Sequence, residues 1–157
     1  MNIVIRPYQP GDLETLRRIT VESFEGVSLD HLVENKFGLL HGHDWRWRKA
    51  RHIDDDVNAN AAGAFVAEAE GQIVGYITTL VDREAGKARI PNLALIAQAR
   101  GQGLGRKLIE HALDYFRREG VAYAMIETVA GNEVGEYLYP SCGFVEIARQ
   151  IHFGIKL

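Results

Sequence analysis

The sequence predicts a single α/β domain in which a mixed sheet is flanked by helices on both faces. Three observations lead to this prediction. Segments with the two-residue alternation of strands are interspersed with segments whose apolar residues recur at helical spacing. The 157 residues can bury one core, and their composition of 46% hydrophobic and 25% charged residues is that of a globular domain. An apolar strand at residues 93–95 also leads through a glycine-rich turn into the strongest helix pattern.

The first part of the chain is predicted to form one strand and three helices. The strand, at residues 3–6, precedes the turn Pro10-Gly11-Asp12, whose aspartate is a favourable helix N-cap. The first helix follows this turn, and the second and third are predicted at 28–37 and 45–58, separated by a loop at 38–44. The predicted inward faces are Leu13, Leu16, Ile19 and Thr20, then Leu29, Leu32, Val33 and Phe37, then Trp47, Ala50, Ile53 and Val57.

The remaining chain supplies most of the sheet. Glu70-Gly71 is a tight hairpin signal between two alternating segments, and Gly120 is a favourable stop for the long amphipathic helix at 104–119. A short helix is expected at 132–139. The predicted strands are 64–70, 72–81, 87–96, 123–129, 145–149 and 152–156, which makes about seven with the first.

Charge and cysteine content narrow the functional classes. A net charge of −3 argues against general binding of nucleic acids or anionic membranes. No apolar run approaches the roughly 20 residues of a membrane span, and the first residues lack a signal-peptide pattern. The lone Cys142 cannot form an internal disulfide, so we expect a reducing compartment, the cytoplasm. A homodimer is compatible with the sequence.

The most informative motif is the run Arg100-Gly101-Gln102-Gly103-Leu104-Gly105. Glycines let the backbone approach a ligand, and the free N–H groups at a helix start point at bound oxygens. We therefore expect a phosphate-bearing cofactor, held by the backbone N–H groups of about residues 101–106. The glycine spacing fits neither the dinucleotide fingerprint nor the P-loop, which requires Gly-Lys-Ser/Thr.

Two blocks of residues carry a family resemblance. Arg100, Gly103 and Gly105 resemble the R/Q-x-x-G-x-G/A pyrophosphate loop of the GNAT acetyltransferase superfamily, and residues 93–95 resemble the hydrophobic strand before it. A second block, from Ile126 to Phe144, is similar to that of the ribosomal-protein N-terminal alanine acetyltransferases. It contains Ile126-Glu127-Thr128, Asn132, Leu138-Tyr139 and Gly143-Phe144. The order of elements resembles the GNAT fold along nearly the whole chain, apart from residues 26–63.

The resemblance implies a GNAT fold with a mixed, mostly antiparallel central sheet, acetyl-CoA as co-substrate and no metal. It implies that Tyr139 is the general acid and Glu127 the base, with an N–H near Leu95 facing the thioester oxygen. A phenol with a pKa near 10 is protonated at neutral pH and can donate to a thiolate. The implied cofactor-binding residues are Leu93, Ala94, Leu95, Arg100, Gly101, Gln102, Gly103, Leu104, Gly105, Arg106, Asn132 and Tyr139.

Several of these assignments have ordinary structural alternatives. Tyr139 is also typical of a core or rim tyrosine, and Asn132 of a helix N-cap. Glu127 is equally expected as a strand-edge carboxylate paired with a surface lysine or arginine, which would leave Glu68 or water as the base. Arg100 and Arg106 are as compatible with a solvated surface as with phosphate binding.

The stretch from His41 to Asp56 has no assigned role. The run His41-Gly42-His43-Asp44 fits no standard zinc spacing, so no metal is expected and a loop over the acceptor site is favoured. The following charged segment is interpreted as a solvated helix face, with the alternative that a tryptophan or arginine lines an acceptor pocket. No residue identifies the acceptor.

Three functional classes remain from the sequence. The first is an acetyl-CoA-dependent N-acetyltransferase acting on a primary amine of a small molecule or a protein or peptide N-terminus. The second is a non-catalytic acyl-CoA-binding sensor or interaction module on the same fold, which needs neither Tyr139 nor Glu127. The third is an unrelated nucleotide-binding enzyme, which the missing P-loop and dinucleotide signatures disfavour.

Overall fold

The computed structural model describes residues 2–157, which form two adjoining sheets with helices on both faces. The first sheet has the strand order β1-β2-β3-β6 and the second β4-β5-β7. The strands are β1 Ile3–Pro7, β2 Phe65–Ala69, β3 Gln72–Ile77, β4 Leu80–Asp82, β5 Lys87–Ile90, β6 Leu93–Leu95 and β7 Tyr123–Ile126. The helices are α1 Leu13–Ser23, α2 Leu29–Phe37, α3 Trp45–Asn60, α4 Leu104–Glu119 and α5 Glu133–Ser141.

The predicted fold class is confirmed. Four of the five strand pairings are antiparallel, and β5 with β7 is the parallel one. The predicted turn at Glu70-Gly71 joins β2 and β3, with φ of 51° and 78° as a type I′ turn requires. One face of the larger sheet packs against α4, and the opposite face packs against α1 and α3.

Two predicted long strands are each broken in the middle. Residues 72–81 form β3 and β4, separated at Thr78-Thr79, and residues 87–96 form β5 and β6, separated at Pro91-Asn92. The breaks lie opposite each other, since Thr78 N–H donates to Asn92 O at 2.9 Å. Proline has no N–H for the ladder, which favours the interruption there. As a result β6 pairs with β3 and β7 pairs with β5, so β6 and β7 belong to different sheets.

The helices differ from prediction in which residues face inward. Leu16, Ile19 and Thr20 of α1 are buried as expected. The prediction for α3 is wrong at its start: Trp45 is buried and Trp47 is exposed. In α2, which begins after the N-cap Ser28, no residue is fully buried. Asp12 does not cap α1 with its side chain, because its carboxylate accepts from Gln9 N–H and Arg6 instead.

The C-terminal part departs furthest from prediction. Strand β7 ends at Ile126 rather than at residue 129, and the two strands predicted at 145–149 and 152–156 do not form. Residues 145–157 instead have no regular secondary structure and are exposed. The count of about seven strands still holds, because the two broken strands supply the difference. None of the helices within residues 2–157 combines the length and the apolar character that a membrane span needs.

Candidate active site

The glycine loop has the backbone geometry of an anion site. Gly101 and Gly103 adopt φ of 73° and 77°, a left-handed conformation that strains other residues. Gly103 is the N-cap of α4, and its carbonyl accepts the first bond of the helix from Lys107 N–H at 3.1 Å. Within residues 2–157, the N–H groups of residues 101–106 donate to no backbone carbonyl. These free donors, at the positive end of a sixteen-residue helix, fit a pyrophosphate.

Three side chains of the loop region donate to groups of the protein itself, so the free donors at the helix start are backbone N–H groups. The Arg100 guanidinium donates to Leu95 O at 3.2 and 3.3 Å, and Gln102 Nε2 donates to Gln98 O at 2.9 Å. Arg106 reaches the end of α5, where it donates to Ser141 O at 2.7 Å and Ser141 Oγ at 2.9 Å. In this structure, therefore, the arginine side chains fix the loop between β6 and α5.

Strand β6 has an open edge beside this loop. Ile96 N–H donates to Val74 O and Thr78 N–H donates to Asn92 O, so residues 92, 94 and 96 direct their backbone groups at β3. By the alternation of an antiparallel ladder, Leu93 and Leu95 direct theirs to the opposite side. No strand within residues 2–157 pairs with that side. The Leu95 carbonyl on this side already accepts from Arg100 and Ser23, so the Leu95 N–H and the backbone groups of Leu93 are what an extended ligand arm could pair with as an additional strand.

Tyr139 lies on α5, which packs against both the loop helix and β6. A β-carbon added at Gly105 would lie 3.2 Å from Leu138 Cδ2 and 3.9 Å from Leu95 Cδ1, so these three elements meet closely. The Tyr139 ring is partly buried and packs edge-on against Phe144, with 6.4 Å between ring centroids. Burial raises the pKa of the Tyr139 phenol above its usual value, so the hydroxyl is protonated at neutral pH. The neighbouring Tyr137 is 77% exposed.

Glu127 follows directly after β7 and is exposed. Its Oε1 lies 2.9 Å from Arg89 Nε on the parallel strand β5, in an ion pair that is not a well-directed hydrogen bond. This ion pair is the arrangement expected of a strand-edge carboxylate, since β7 ends before Glu127 and lies at the edge of its sheet. Glu68 has a different environment: it accepts from Arg6 Nε at 2.8 Å on β2, a strand that does not pair with β6.

Asn132 occupies the N-cap position of α5, but its side chain does not cap the helix. Its Nδ2 donates to Thr128 Oγ1 at 2.9 Å, which closes the loop between β7 and α5.

The His41–Asp44 loop joins α2 to α3. His43 stacks on Trp47 with 3.5 Å between ring centroids, and residues 2–157 contain no cluster of three side chains placed to hold a metal ion.

Sequence reasoning missed a buried polar network at the strand break. Asn92 Nδ2 donates to Asp56 Oδ2 at 2.6 Å, Thr78 Oγ1 donates to the same oxygen at 2.7 Å, and Lys49 Nζ donates to Asn92 Oδ1 at 2.7 Å. Burial lowers the pKa of Lys49 and raises that of Asp56, whose two hydrogen bonds oppose the shift. One sequence signal could have predicted this network. Lys49, Ile53, Asp56 and Val57 recur at helical spacing, so the buried face of the helix includes two charged residues.

A helix start with free N–H donors beside a strand edge without a strand partner is suited to an extended, phosphate-bearing ligand. The sequence profile of the acetyltransferase (GNAT) family matches residues 15–144. This chain therefore belongs to the GNAT acetyltransferase family, as the two sequence blocks indicated.

Individual relatives agree with this membership. Mycothiol acetyltransferase of Streptomyces griseus is 32% identical over 131 residues, which cover 80% of this chain and 43% of that protein. The bS18-alanine N-acetyltransferase of Escherichia coli K12 is 36% identical over 76 residues, which cover 48% of this chain and 50% of the relative. The chain spans less than half the length of the mycothiol acetyltransferases it matches.

Solved structures agree on the fold. PH1933 from Pyrococcus horikoshii superposes with a TM-score of 0.74 at 21% identity, over 95% of this chain and 92% of that one. The PaiA N-acetyltransferase of Thermoplasma acidophilum, solved in complex with coenzyme A, gives a TM-score of 0.71 at 21% identity, over 90% and 88% of the two chains.

Proposed function

We propose that this protein is an acetyl-CoA-dependent N-acetyltransferase that transfers an acetyl group directly to a primary amine of a small molecule or of a protein or peptide N-terminus. The observation that carries the proposal is the continuity of the open β6 edge with the glycine loop. The β6 edge offers backbone partners to an extended arm, and the glycine loop offers free N–H groups to a pyrophosphate. Coenzyme A contains both chemical parts in that order.

Leu95 and Tyr139 are proposed to act on two different atoms of the thioester. Acetyl-CoA supplies an activated acyl thioester. The outward N–H of Leu95 is in position to donate to the acyl oxygen as negative charge develops on it. Tyr139, whose burial keeps it protonated, donates its proton to the departing thiolate. The non-catalytic alternative, an acyl-CoA sensor, does not need the hydroxyl of Tyr139.

Glu127 is proposed as the base that accepts the proton of the attacking amine, directly or through water. Its position directly after β7 supports this role, since β7 pairs with β5 and β6 with β3, so that no strand pairing joins β6 to β7. Glu68 is the competing carboxylate. It is bonded to Arg6, which also binds Asp12, and β1 and β2 lie at the edge of the larger sheet away from β6.

The acceptor is proposed to approach from the side of α1 and α3. Ser23, the last residue of α1, donates from Oγ to Leu95 O at 3.0 Å, so this helix end borders β6. A shallow groove of about 350 Å³ begins nearby between the two helices. Its lining includes Val21, Glu22, Arg46 and Trp47, in agreement with the idea that a tryptophan or arginine contacts the acceptor. The relative named for bS18 alanine makes peptide N-termini a first choice of acceptor.

The compartment proposed is the cytoplasm, on the ground that the single cysteine leaves no internal disulfide to form. A homodimer is also proposed, because the C-terminal residues carry a series of exposed apolar side chains.

Thiol release from acetyl-CoA, measured with a panel of amines, tests the catalytic proposal. The panel contains peptides with free N-termini, polyamines and amino acids. We expect amine-dependent release with at least one class, and thermal stabilisation by acetyl-CoA but not by NAD or ATP. Stabilisation without turnover on any amine would support the sensor, and stabilisation by NAD or ATP instead would support an unrelated nucleotide-binding enzyme.

A further inference from the structure

The residue directly before strand β6 is bonded through both polar atoms of its side chain. Asn92 is 4% exposed and precedes Leu93, the first residue of β6. Its Oδ1 accepts from Lys49 Nζ and its Nδ2 donates to Asp56 Oδ2, both on α3, while its carbonyl accepts from Thr78 N–H. The two charged side chains of α3 therefore meet through the amide of Asn92. As a result, contacts with α3 fix the start of β6 in addition to the pairing with β3.

The far end of β6 is tied to the same network through α1. Ser23 Oγ donates to Leu95 O at 3.0 Å. The ring of the next residue, Phe24, has its centroid 4.1 Å from Lys49 Nζ, which is a cation–π contact. Lys49 thus contacts both the residue before β6 and the neighbour of the serine that binds its last carbonyl. Because β6 has only three residues, contacts at its two ends determine the orientation of the whole strand.

Stability alone gives no reason for this network. Lys49 and Asp56 are both buried, and each charged group loses hydration there. Apolar side chains in the place of buried charged groups are often equally or more stabilising. What a satisfied polar network adds is one defined arrangement, because a displacement leaves a buried polar group without its partner. The network at Asn92 is therefore suited to hold β6 in a single position.

We propose that Asn92 is a positioning residue for acetyl transfer: with Lys49 and Asp56, it fixes the direction in which the Leu95 N–H points. This role rests on the proposed function, in which that N–H donates to the acyl oxygen. Such a donor is effective at about 2.7–3.1 Å from the position of the oxygen in the transition state. A misplacement of about 1 Å can cost about 100-fold in rate. Leu95 lies on the same short strand, so a tilt of β6 at Asn92 changes the direction of this N–H.

Asn92→Leu tests this role, with Asn60→Leu as the matched control. Leucine keeps the branched shape of asparagine and removes its polar atoms. Asn60 also belongs to α3 and binds the same strand break, where its Nδ2 donates to Thr79 O and Thr79 Oγ1, both at 3.1 Å. Thr79 leads into β4, however, and not into β6.

The two variants should differ in turnover and not in folding. Both lose hydrogen bonds at the strand break, so both should unfold at a lower urea concentration than wild type. Only Asn92→Leu should lower kcat, by at least about 100-fold, while its affinity for acetyl-CoA in calorimetry stays that of wild type.

The Leu95 amide supplies a readout that needs no turnover. In amide NMR spectra of the wild type, its resonance should shift more with acetyl-CoA than with CoA, which lacks the acyl oxygen. This acetyl-dependent shift should remain in Asn60→Leu and be lost in Asn92→Leu. If the wild type binds acetyl-CoA but acetylates no amine, the proposed function fails, and the NMR comparison still decides whether Asn92 positions the N–H.

A combined variant without the buried charges covers the case in which Asn92→Leu does not fold. Lys49→Met, Asp56→Leu and Asn92→Leu together replace the network by apolar side chains, which should restore stability toward that of wild type. The combined variant should still lose kcat and the acetyl-dependent shift. Wild-type turnover in the combined variant overturns the inference. So does an equal kcat in Asn92→Leu and Asn60→Leu, or an acetyl-dependent Leu95 shift that survives in Asn92→Leu.

Discussion

Gly105 packs directly beneath Leu138, so close that a β-carbon at position 105 would lie 3.2 Å from Leu138 Cδ2. The contact joins the first turn of α4 to the helix that carries Tyr139. Arg106 strengthens the same junction through its two bonds to Ser141. The glycine loop at the start of α4 and the proposed acid on α5 are therefore held close together by packing and by hydrogen bonds, as a reaction that binds one part of a cofactor and protonates another requires.

Gly103→Glu should abolish detectable acetyl-CoA binding in calorimetry. The substitution places a side chain and a negative charge where the free N–H groups converge. The matched control is Gly120→Glu, at the other end of the same helix. Both glycines have left-handed φ, 77° and 73°, and in both the space that a β-carbon would enter is open. Each variant should lose about 1–2 kcal/mol of stability from backbone strain. Equal affinities in the two variants would contradict the assignment of the loop.

Tyr139→Phe should lower kcat by roughly 10²–10⁴-fold with little change in acetyl-CoA affinity, because only the proton donor is removed and the ring can keep its packing. Tyr137→Phe removes the same hydroxyl two residues away on an exposed side chain and should leave kcat unchanged. Steady-state rates and direct binding measurements separate the two effects. An unaltered kcat in Tyr139→Phe would make Tyr139 a packing residue.

Glu127→Gln should reduce the rate most near neutral pH, with partial recovery as pH rises. An alkyl amine has a pKa near 10.4 and a peptide α-amino group one near 8, so free amine accumulates without a base at higher pH. The comparison variant is Glu68→Gln, which also removes a carboxylate paired with arginine. A pH-independent loss in Glu127→Gln would assign the residue to substrate positioning. Recovery at high pH in Glu68→Gln instead would make Glu68 the base.

Local signals predicted the parts of the fold that depend on local chemistry. The bounds of α4 match the prediction, because a glycine at each end and a long apolar stripe define that helix without help from the rest of the chain. The Glu70-Gly71 turn was likewise predictable, since few residues tolerate positive φ. The glycine loop belongs to the same group, and it is the part of the site that uses only backbone.

Features that depend on distant partners could not be predicted in this way. Alternation in residues 145–157 indicates strand propensity but not which strand edge is available, and in this chain none pairs with it. The break at Pro91-Asn92 needed knowledge that Asn92 would meet Asp56 from α3. Trp47 lies on the face of α3 opposite Lys49 and Asp56. If Trp47 faced inward, Lys49 and Asp56 would face solvent, but both are buried. The site assignments of Glu127 and Tyr139 stay predictions, because geometry alone does not measure their roles.

Asp56→Asn should change how stability depends on pH, and the sign follows from burial. The folded protein raises the pKa of Asp56, so the folded state holds this proton more tightly than the unfolded state does. The contribution of Asp56 to stability therefore falls as pH rises from its unfolded pKa, near 3.9, through its raised folded value. Asp56→Asn lacks this fall, because asparagine does not titrate.

Relative to wild type, the variant's free energy of unfolding should thus rise with pH across that window, by about 1.4 kcal/mol for each unit by which the folded pKa exceeds the unfolded one. The other carboxylates titrate in both proteins, so their contributions cancel when the free energy of unfolding of wild type is subtracted from that of the variant. Asp55→Asn, an exposed neighbour on the same helix, should give a difference that does not vary with pH in the same sense. Urea unfolding between pH 4 and 8 measures both. A flat difference for Asp56→Asn would mean that hydrogen bonds from Thr78 and Asn92 fully offset burial of the carboxylate.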